Sequence, residues 1–439
     1  MSDARAIWSI AVPAMASNVA TALIGVADVW VIGQLGDAPA QGAVELGARL
    51  LMTLLVVFNF LRTATTGLAA QAAGRGDDDA LAAELLRPLG FALVIGAVLL
   101  LLQRPLIASG LDILGADGAV RTHAATYVGI RYWAAPFWLL NAALTGWLIG
   151  TRRVGAALAV EIAINLVHVA LDLLFVLGLG WGVAGVAAAT LSSEVIKFAL
   201  LVAVVAAAVP VAVLLTAARR GDVWRRDALA RLLGVNRDLF LRTLLLMAAF
   251  VLITRVGAEQ GATVLAANAI LLQLFMLSAL LLDAFENAAQ VLCGEAVGAR
   301  DRDRFSRVAR AILMRGVAVA ALLSLLILLA APVVVASFST DPGVVDAALR
   351  YLGWAAVLPL AGVVSFVFDG IFVGAAWTRA MLVSMALALV VYIAVLAVGP
   401  PGNDGLWLGF AVFLACRAFG QAALLPSLVR RSFAPIVSA

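Results

Sequence analysis

Apolar runs of about 20 residues, each closed by a short polar joint, follow one another along this chain from end to end. A run of that length is what a helix needs to cross the hydrocarbon core of a bilayer, and a soluble core has no room to hide so many of them. Composition agrees: of 439 residues, 64% are apolar and 13% charged, and the mean hydropathy is +1.08. A soluble domain carries about 25% charged residues. Outer-membrane barrels read as alternating segments of roughly ten residues, a weaker pattern than these continuous runs. The expected fold class is an all-α polytopic membrane protein.

Twelve transmembrane helices are predicted, beginning near Ala6, Val44, Leu89, Thr122, Ala156, Val183, Leu239, Thr263, Val308, Val344, Ala380 and Leu406. The first follows Arg5 and resembles a cleavable signal, but its apolar character runs on through Val19 to Ile32, too long for a signal core. Arginine and lysine are retained on the cytoplasmic side of a membrane. The even-numbered joints hold Arg75, Arg87, Arg152, Arg153, the group from Arg219 to Arg237, the group from Arg300 to Arg310, and Arg379, while the odd-numbered joints hold little beyond Arg104 and Arg121. With Arg5 at one end and Arg430 and Arg431 at the other, both termini are expected in the cytoplasm, in an integral plasma (inner) membrane protein. The net charge of +4 and pI near 9.6 therefore reflect topology, and no nucleic-acid partner is expected. Cys293 and Cys416 lie in apolar runs, with no metal-ligand spacing and no basis for a disulfide.

The longest polar joint divides the spans six and six, giving an N-terminal bundle (1–216), a cytoplasmic linker (217–237) and a C-terminal bundle (238–439). An internal repeat supports the division. Ala70-Gln71-Ala72-Ala73-Gly74-Arg75-Gly76-Asp77 is echoed by Gly294-Glu295-Ala296-Val297-Gly298-Ala299-Arg300-Asp301, and Gly146-Trp147-Leu148-Ile149-Gly150 by Gly370-Ile371-Phe372-Val373-Gly374, both at an offset of 224 residues. Six spans return the chain to its starting side, so the copies are parallel and pseudo-symmetric about an axis along the membrane normal. Two such bundles facing a cavity make a transporter architecture.

Acids and bases inside the spans cost at least about 2.5 kcal/mol each at the bilayer centre, so each needs a partner, water or a purpose. Asp28 in span 1, Asp172 in span 5 and Thr190 in span 6 fall at one depth, roughly 8 to 11 Å below the outer surface at 1.5 Å per residue. Asn165, His168 and Asp172 share one helical stripe. These five residues are the expected coupling site: two carboxylates with neutral oxygen and nitrogen groups can share a proton or hold a sodium ion. No other metal site is expected, and no cofactor beyond the coupling ion. His168 also reads as an ordinary buried partner of an acid. Glu194 and Lys197, three apart on span 6, are expected to neutralise one another. Asp283 and Glu286 share a face of span 8 and are expected to line a substrate cavity with Asp369, which takes the repeat position of Thr145. Arg255, within reach of Glu259, and the adaptable apolar side chains of Phe275 and Met276 complete that set.

With the two copies, Asp28, the His168-Val169-Ala170-Leu171-Asp172 run and the Phe368-Asp369-Gly370-Ile371-Phe372-Val373-Gly374 run in place, the chain resembles the multidrug and toxic compound extrusion (MATE) family, in its DinF-type branch. The similarity extends from about Ile7 to Arg430 and includes Gly182-Val183-Ala184-Gly185-Val186-Ala187 and Leu265-Ala266-Ala267-Asn268-Ala269. The resemblance implies a V-shaped pair of six-helix bundles, an antiporter exporting organic cations or amphiphiles in exchange for protons or sodium ions, and an ion or proton site at Asp28 and Asp172 with Thr190 nearby. The expected partners are a small-molecule substrate and membrane lipids, with the chain a monomer. Where relatives commonly carry asparagine four residues before the span 5 acid, this chain has His168, which favours protons over sodium.

Two rivals remain. A flippase for lipid-linked saccharides uses the same architecture, but its cavity would want several arginines, and the intramembrane charges here are mostly acidic. An intramembrane enzyme would want His-Glu-x-x-His or Gly-x-Ser-x-Gly, and neither occurs. Substrate-dependent proton or sodium flux, measured against hydrolysis in the same vesicles, separates these classes; flux without hydrolysis is the expected outcome.

Overall fold

A backbone crossing hydrocarbon has only itself to bond to, so every N–H and C=O must be closed within its own segment. The computed structural model, which describes residues 3–434, meets that demand with helices; no strand occurs among the described residues. Span 1 is Asp3–Gly33, and span 2 runs from Ala38 to Arg75 through a tight turn at Val57–Asn59. Span 3 is Asp78–Leu101, and span 4 joins Gly118–Arg131 to Ala135–Gly150 through a tight turn at Tyr132–Ala134. Spans 5 and 6 are Val154–Gly178 and Gly182–Ala208. Spans 7 to 9 are Arg226–Ala258, Ala262–Gly298 and Arg302–Phe338. Spans 10 to 12 are Leu352–Gly374, Thr378–Val398 and Asn403–Ser432. Ten of these are long and apolar enough, by length and composition, to cross a membrane.

Several expected span starts move: span 3 begins at Asp78 rather than near Leu89, and span 7 at Arg226 rather than near Leu239. Span 10, expected from Val344, begins at Leu352, because Asp341 accepts hydrogen bonds from the backbone N–H of Gly343 and Val344 and starts a separate helix, Pro342–Arg350. Within the stretch expected as a linker, helix Val211–Arg219 ends and helix Arg226–Ala258 begins, so residues 226–237 are helical. Polar character alone does not stop a helix, and the stretch 226–237 has no proline to break it.

The chain divides into two compact units. One consists of Ala16–Ala72 and Asp77–Leu233; the other takes the chain up to Met15, Ala73–Gly76, and everything from Gly234. Span 1 thus changes unit two residues after Pro13. Before that point Ala11 and Ala14 pack with Ala284, and Trp8 stands edge-on to Phe285 with ring centroids 5.7 Å apart. The outermost residues of the division drawn from the sequence, 1–2 and 435–439, lie outside the described residues.

The 224-residue repeat is built into the packing of each unit. A Cβ on Gly146 would fall 2.5 Å from the Arg62 carbonyl oxygen, and one on Gly150 2.6 Å from that of Thr66. In the other unit a Cβ on Gly370 would fall 2.3 Å from the Glu286 carbonyl oxygen, and one on Gly374 2.5 Å from that of Gln290. Each pair of contacts maps onto the other at the same offset, so the Gly-x-x-x-Gly faces exist to let span 4 lie on span 2 and span 10 on span 8 at backbone distance. The turns repeat too. Asp77 caps span 3 through the Ala80 N–H and Asp301 caps span 9 through the Arg304 N–H, while left-handed backbone occurs at Gly76 and Arg300 and again at Arg152 and Ala376.

Gly146→Ala and Gly370→Ala should each push two backbones apart at a cost of about 1–3 kcal/mol, seen as a lower melting temperature of the purified protein in detergent. Gly129→Ala, with nothing within 4 Å of its Cβ, should leave the melting temperature unchanged.

Candidate functional site

Span 5 carries its polar residues on one stripe because Glu161, Asn165, His168 and Asp172 are spaced by four, three and four. Immediately after Asp172 the helix widens into a π-helical turn, Leu173–Gly178, with the Leu179 N–H donating to the Leu174 carbonyl at 2.8 Å. Such turns inside helices gather at functional sites.

At the upper end of the stripe three ionisable groups converge, all more than nine-tenths buried: Asp28, His168 and Asp172. His168 Nε2 lies 2.7 Å from Asp28 Oδ1 and 3.1 Å from Asp172 Oδ2. His168 Nδ1 lies 3.1 Å from Ser193 Oγ, and the Ser193 hydroxyl donates to the Ala189 carbonyl at 2.7 Å. Both ring nitrogens therefore face acceptors, which is the partner set of an imidazolium. Asp172 Oδ2 has this contact to the imidazole, while its Oδ1 accepts no hydrogen bond among the described residues. One ligand atom from each of the three groups lies within 4.8 Å of the other two, a spacing at which they can share protons or close on a small cation. Among the described residues neither acid is bonded to a guanidinium.

Below this cluster the same three helices meet again. Glu161 on span 5 accepts from Thr21 Oγ1 of span 1 at 2.9 Å and pairs with Lys197 of span 6 at 2.8 Å. Lys197 is thus answered from span 5 rather than by Glu194, whose carboxylate accepts from the Asn141 amide at 2.7 Å. The expected Glu194–Lys197 pairing gives way to Glu161 lying across from Lys197, with Glu194 remaining within electrostatic range of Lys197.

The other unit holds a different cluster. Asp369 is 1% exposed and accepts from the guanidinium of Arg242 on span 7, from Arg417 Nη2 on span 12 at 2.5 Å, and from Gln421 Nε2 at 2.6 Å. Asp283 and Glu286 lie within electrostatic range of Arg242, and Glu286 accepts from Gln290 Nε2 at 3.0 Å. A carboxylate held by two guanidiniums is an architectural tie in form.

With this geometry in hand, comparison with known proteins decides the family. The MatE family profile matches residues 13–174 and 239–398. DNA damage-inducible protein F of Escherichia coli (strain K12) is 36% identical over 428 residues, 96% of this chain and 92% of that protein. The chain belongs to the MatE family. The probable multidrug resistance protein NorM of Rhizobium meliloti (strain 1021) is 26% identical over 99% of this chain and 96% of its own length. A crystal structure of a MATE protein in the bent conformation superposes with a TM-score of 0.87 at 19% identity, covering 99% of this chain and 98% of that one, and shows the shared fold. This MatE chain is accordingly an integral membrane transporter of small molecules and not an enzyme.

Of the residues expected to couple transport in this MatE chain, Asp28, His168 and Asp172 meet directly. Asn165 lies one turn below them, with neither end of its amide partnered among the described residues. Thr190 spends its hydroxyl on the Val186 carbonyl at 3.1 Å, and Ser193 is the span 6 residue that reaches the imidazole. Ser193 was legible as the next polar residue on the face that carries Thr190. Of the expected cavity residues, Asp283, Glu286 and Asp369 gather around Arg242. Phe275 is buried edge-to-face on Phe410, with centroids 5.5 Å apart, Met276 is half-buried, and Arg255 stands exposed beside Glu259 at 3.7 Å. Arg242 and Arg417 escaped the sequence reading, although Arg417 is an arginine inside an apolar run and so in need of an acid.

Asp369→Asn should strand two buried guanidiniums and cost on the order of 3–5 kcal/mol, read as a large fall in melting temperature. Asp112→Asn, which breaks the exposed pair with Arg121, should change it little.

Proposed function

We propose that the chain is a secondary antiporter that exports cationic or amphiphilic compounds in exchange for protons by alternating access between two six-helix halves, residues 1–216 and 238–439, joined through 217–237. The observation that carries this reading is the buried meeting of Asp28, His168 and Asp172. A cavity for an organic cation in the other half is supported by Asp283 and Glu286, two acids near one arginine. Export of this kind of compound is in keeping with the name of the Rhizobium relative, a probable multidrug resistance protein. The protein sits in the inner membrane as a monomer surrounded by lipid, with both termini in the cytoplasm.

The mechanism follows from the cluster. In the outward-facing state a proton enters from outside and lands on Asp172, whose Oδ1 accepts no hydrogen bond among the described residues, or on Asp28. The pull on the imidazole is redistributed, and span 1, which carries Asp28, is released to repack. Pro13 lacks the N–H that would close its turn and gives span 1 a place to bend. Substrate leaves outside; the proton leaves inside, and a new substrate enters from the cytoplasm or inner leaflet. An interaction change of about 2.7 kcal/mol shifts a balanced two-state equilibrium about a hundredfold. The imidazole nitrogen lies between the carboxylates, where a sodium ion would want oxygen, and this favours protons.

In proteoliposomes, ethidium-driven proton flux should be abolished by Asp28→Asn; unchanged flux would falsify the mechanism. At fixed pH, ethidium export should be indifferent to a sodium gradient and should collapse with a protonophore. Export that follows the sodium gradient instead would make sodium the coupling ion.

A further inference from the structure

Spans 1, 5 and 6 meet at two levels. The upper level is Asp28, His168 with Asp172, and Ser193; the lower is Thr21, Glu161 and Lys197. The levels lie seven residues apart on span 1, seven on span 5 and four on span 6, so the same helical faces are used twice. The span 5 stripe from Asp172 to Glu161 covers eleven residues, about 16 Å at 1.5 Å per residue. Midway stands Asn165, whose amide oxygen and nitrogen are buried without a partner among the described residues and offer an acceptor and a donor to a bridging water. A Glu–Lys pair with a buried acid and a half-buried lysine is a poor stabiliser relative to apolar residues of the same volume, so its presence asks for another role.

We propose that the Glu161–Lys197 pair is a second, inner proton-carrying station, to which the Asp28–His168–Asp172 cluster hands its proton along the span 5 stripe before release to the cytoplasm. The inference rests on the proton coupling proposed above. The step balances in protons and charge. The proton leaves the upper cluster and arrives on a Glu161 carboxylate oxygen, turning it into a carboxylic acid, and the ion pair with Lys197 is broken. Lys197 keeps its own proton and its charge falls to Glu194, which lies within its electrostatic range three residues away on span 6 and is bonded by Asn141 from span 4. Thr21 faces Glu161 from span 1, and Arg62 acts on Lys197 from span 2. When Glu161 gives its proton to cytoplasmic water the pair re-forms, and no further reactant is consumed. Thr21 makes the event mechanical, because its bond to Glu161 ties the same span 1 that carries Asp28.

The test uses the full-length protein in sodium-free proteoliposomes with ethidium as probe. Glu161→Gln should lower ethidium-driven proton flux at least about tenfold while ethidium affinity stays within about twofold, and Glu161→Asp, which keeps the carboxyl, should retain flux within about threefold. Lys197→Met should shift the pH profile of flux without abolishing it. Flux in Glu161→Gln within about twofold of the parent overturns the proposal, as does a loss in both Glu161 variants matched by an equal loss of ethidium binding, which marks a purely structural pair. Should Glu161→Gln fail to fold, the Glu161→Gln/Lys197→Met double variant removes both charges, and retained flux there overturns the proposal equally. Asp28→Asn is measured alongside. If it is silent while Glu161→Gln is active, only the inner station fails; if both are active, the proton-coupled reading itself fails.

Discussion

Hydrocarbon tolerates a charge only when something answers it, and the interior of this transporter is organised by how each acid is answered. The two units give opposite answers. Around Asp28 and Asp172 the counter-charge is an imidazole, a group that gains and loses its proton readily under physiological conditions. Around Asp369 it is a pair of guanidiniums, which never lose theirs. One acid cluster is left adjustable and the other is fixed by chemistry.

The internal repeat sharpens the contrast. Backbone features are held in register across the 224-residue offset: the glycine faces of spans 4 and 10, the capping aspartates 77 and 301, and the left-handed residues at 76 and 300 and at 152 and 376. The side chains that do chemistry are not. At the same offset Ser193 becomes Arg417, Lys197 becomes Gln421 and His168 becomes Tyr392. In one unit Ser193 reaches the His168 imidazole and Lys197 the Glu161 carboxylate, both on span 5, while in the other Arg417 and Gln421 both reach Asp369 on span 10. Duplication supplied the scaffold twice and the polar residues then diverged on it.

How much of this was legible follows from range of interaction. Helix number, the six-and-six arrangement and the repeat are written in local hydrophobic runs and in glycines that fall every fourth residue. The meeting of Asp28, His168 and Asp172 was within reach because depth along a helix is nearly proportional to residue number. Partner choice was not. Lys197 has an acid three residues away and another across the bundle, and only the rotation of spans 5 and 6 about their axes decides for Glu161. Phe275 and Arg255 show the same limit: periodicity places a residue on a face but does not say whether that face meets a cavity, a core of rings or the surface.

The π-helical turn above Asp172 has a consequence of its own. A widened turn takes in one more residue than regular helix does over the same rise, so the chain beyond it, including Trp181, whose ring stacks back on Phe175 of the turn at 4.9 Å, is rotated by about 100° from where an unbroken helix would carry it. The orientation of the segment after the turn is therefore uncoupled from that of the acid before it. Lengthening or shortening this one turn would re-aim the segment after it while the buried Asp28–His168–Asp172 cluster kept its place.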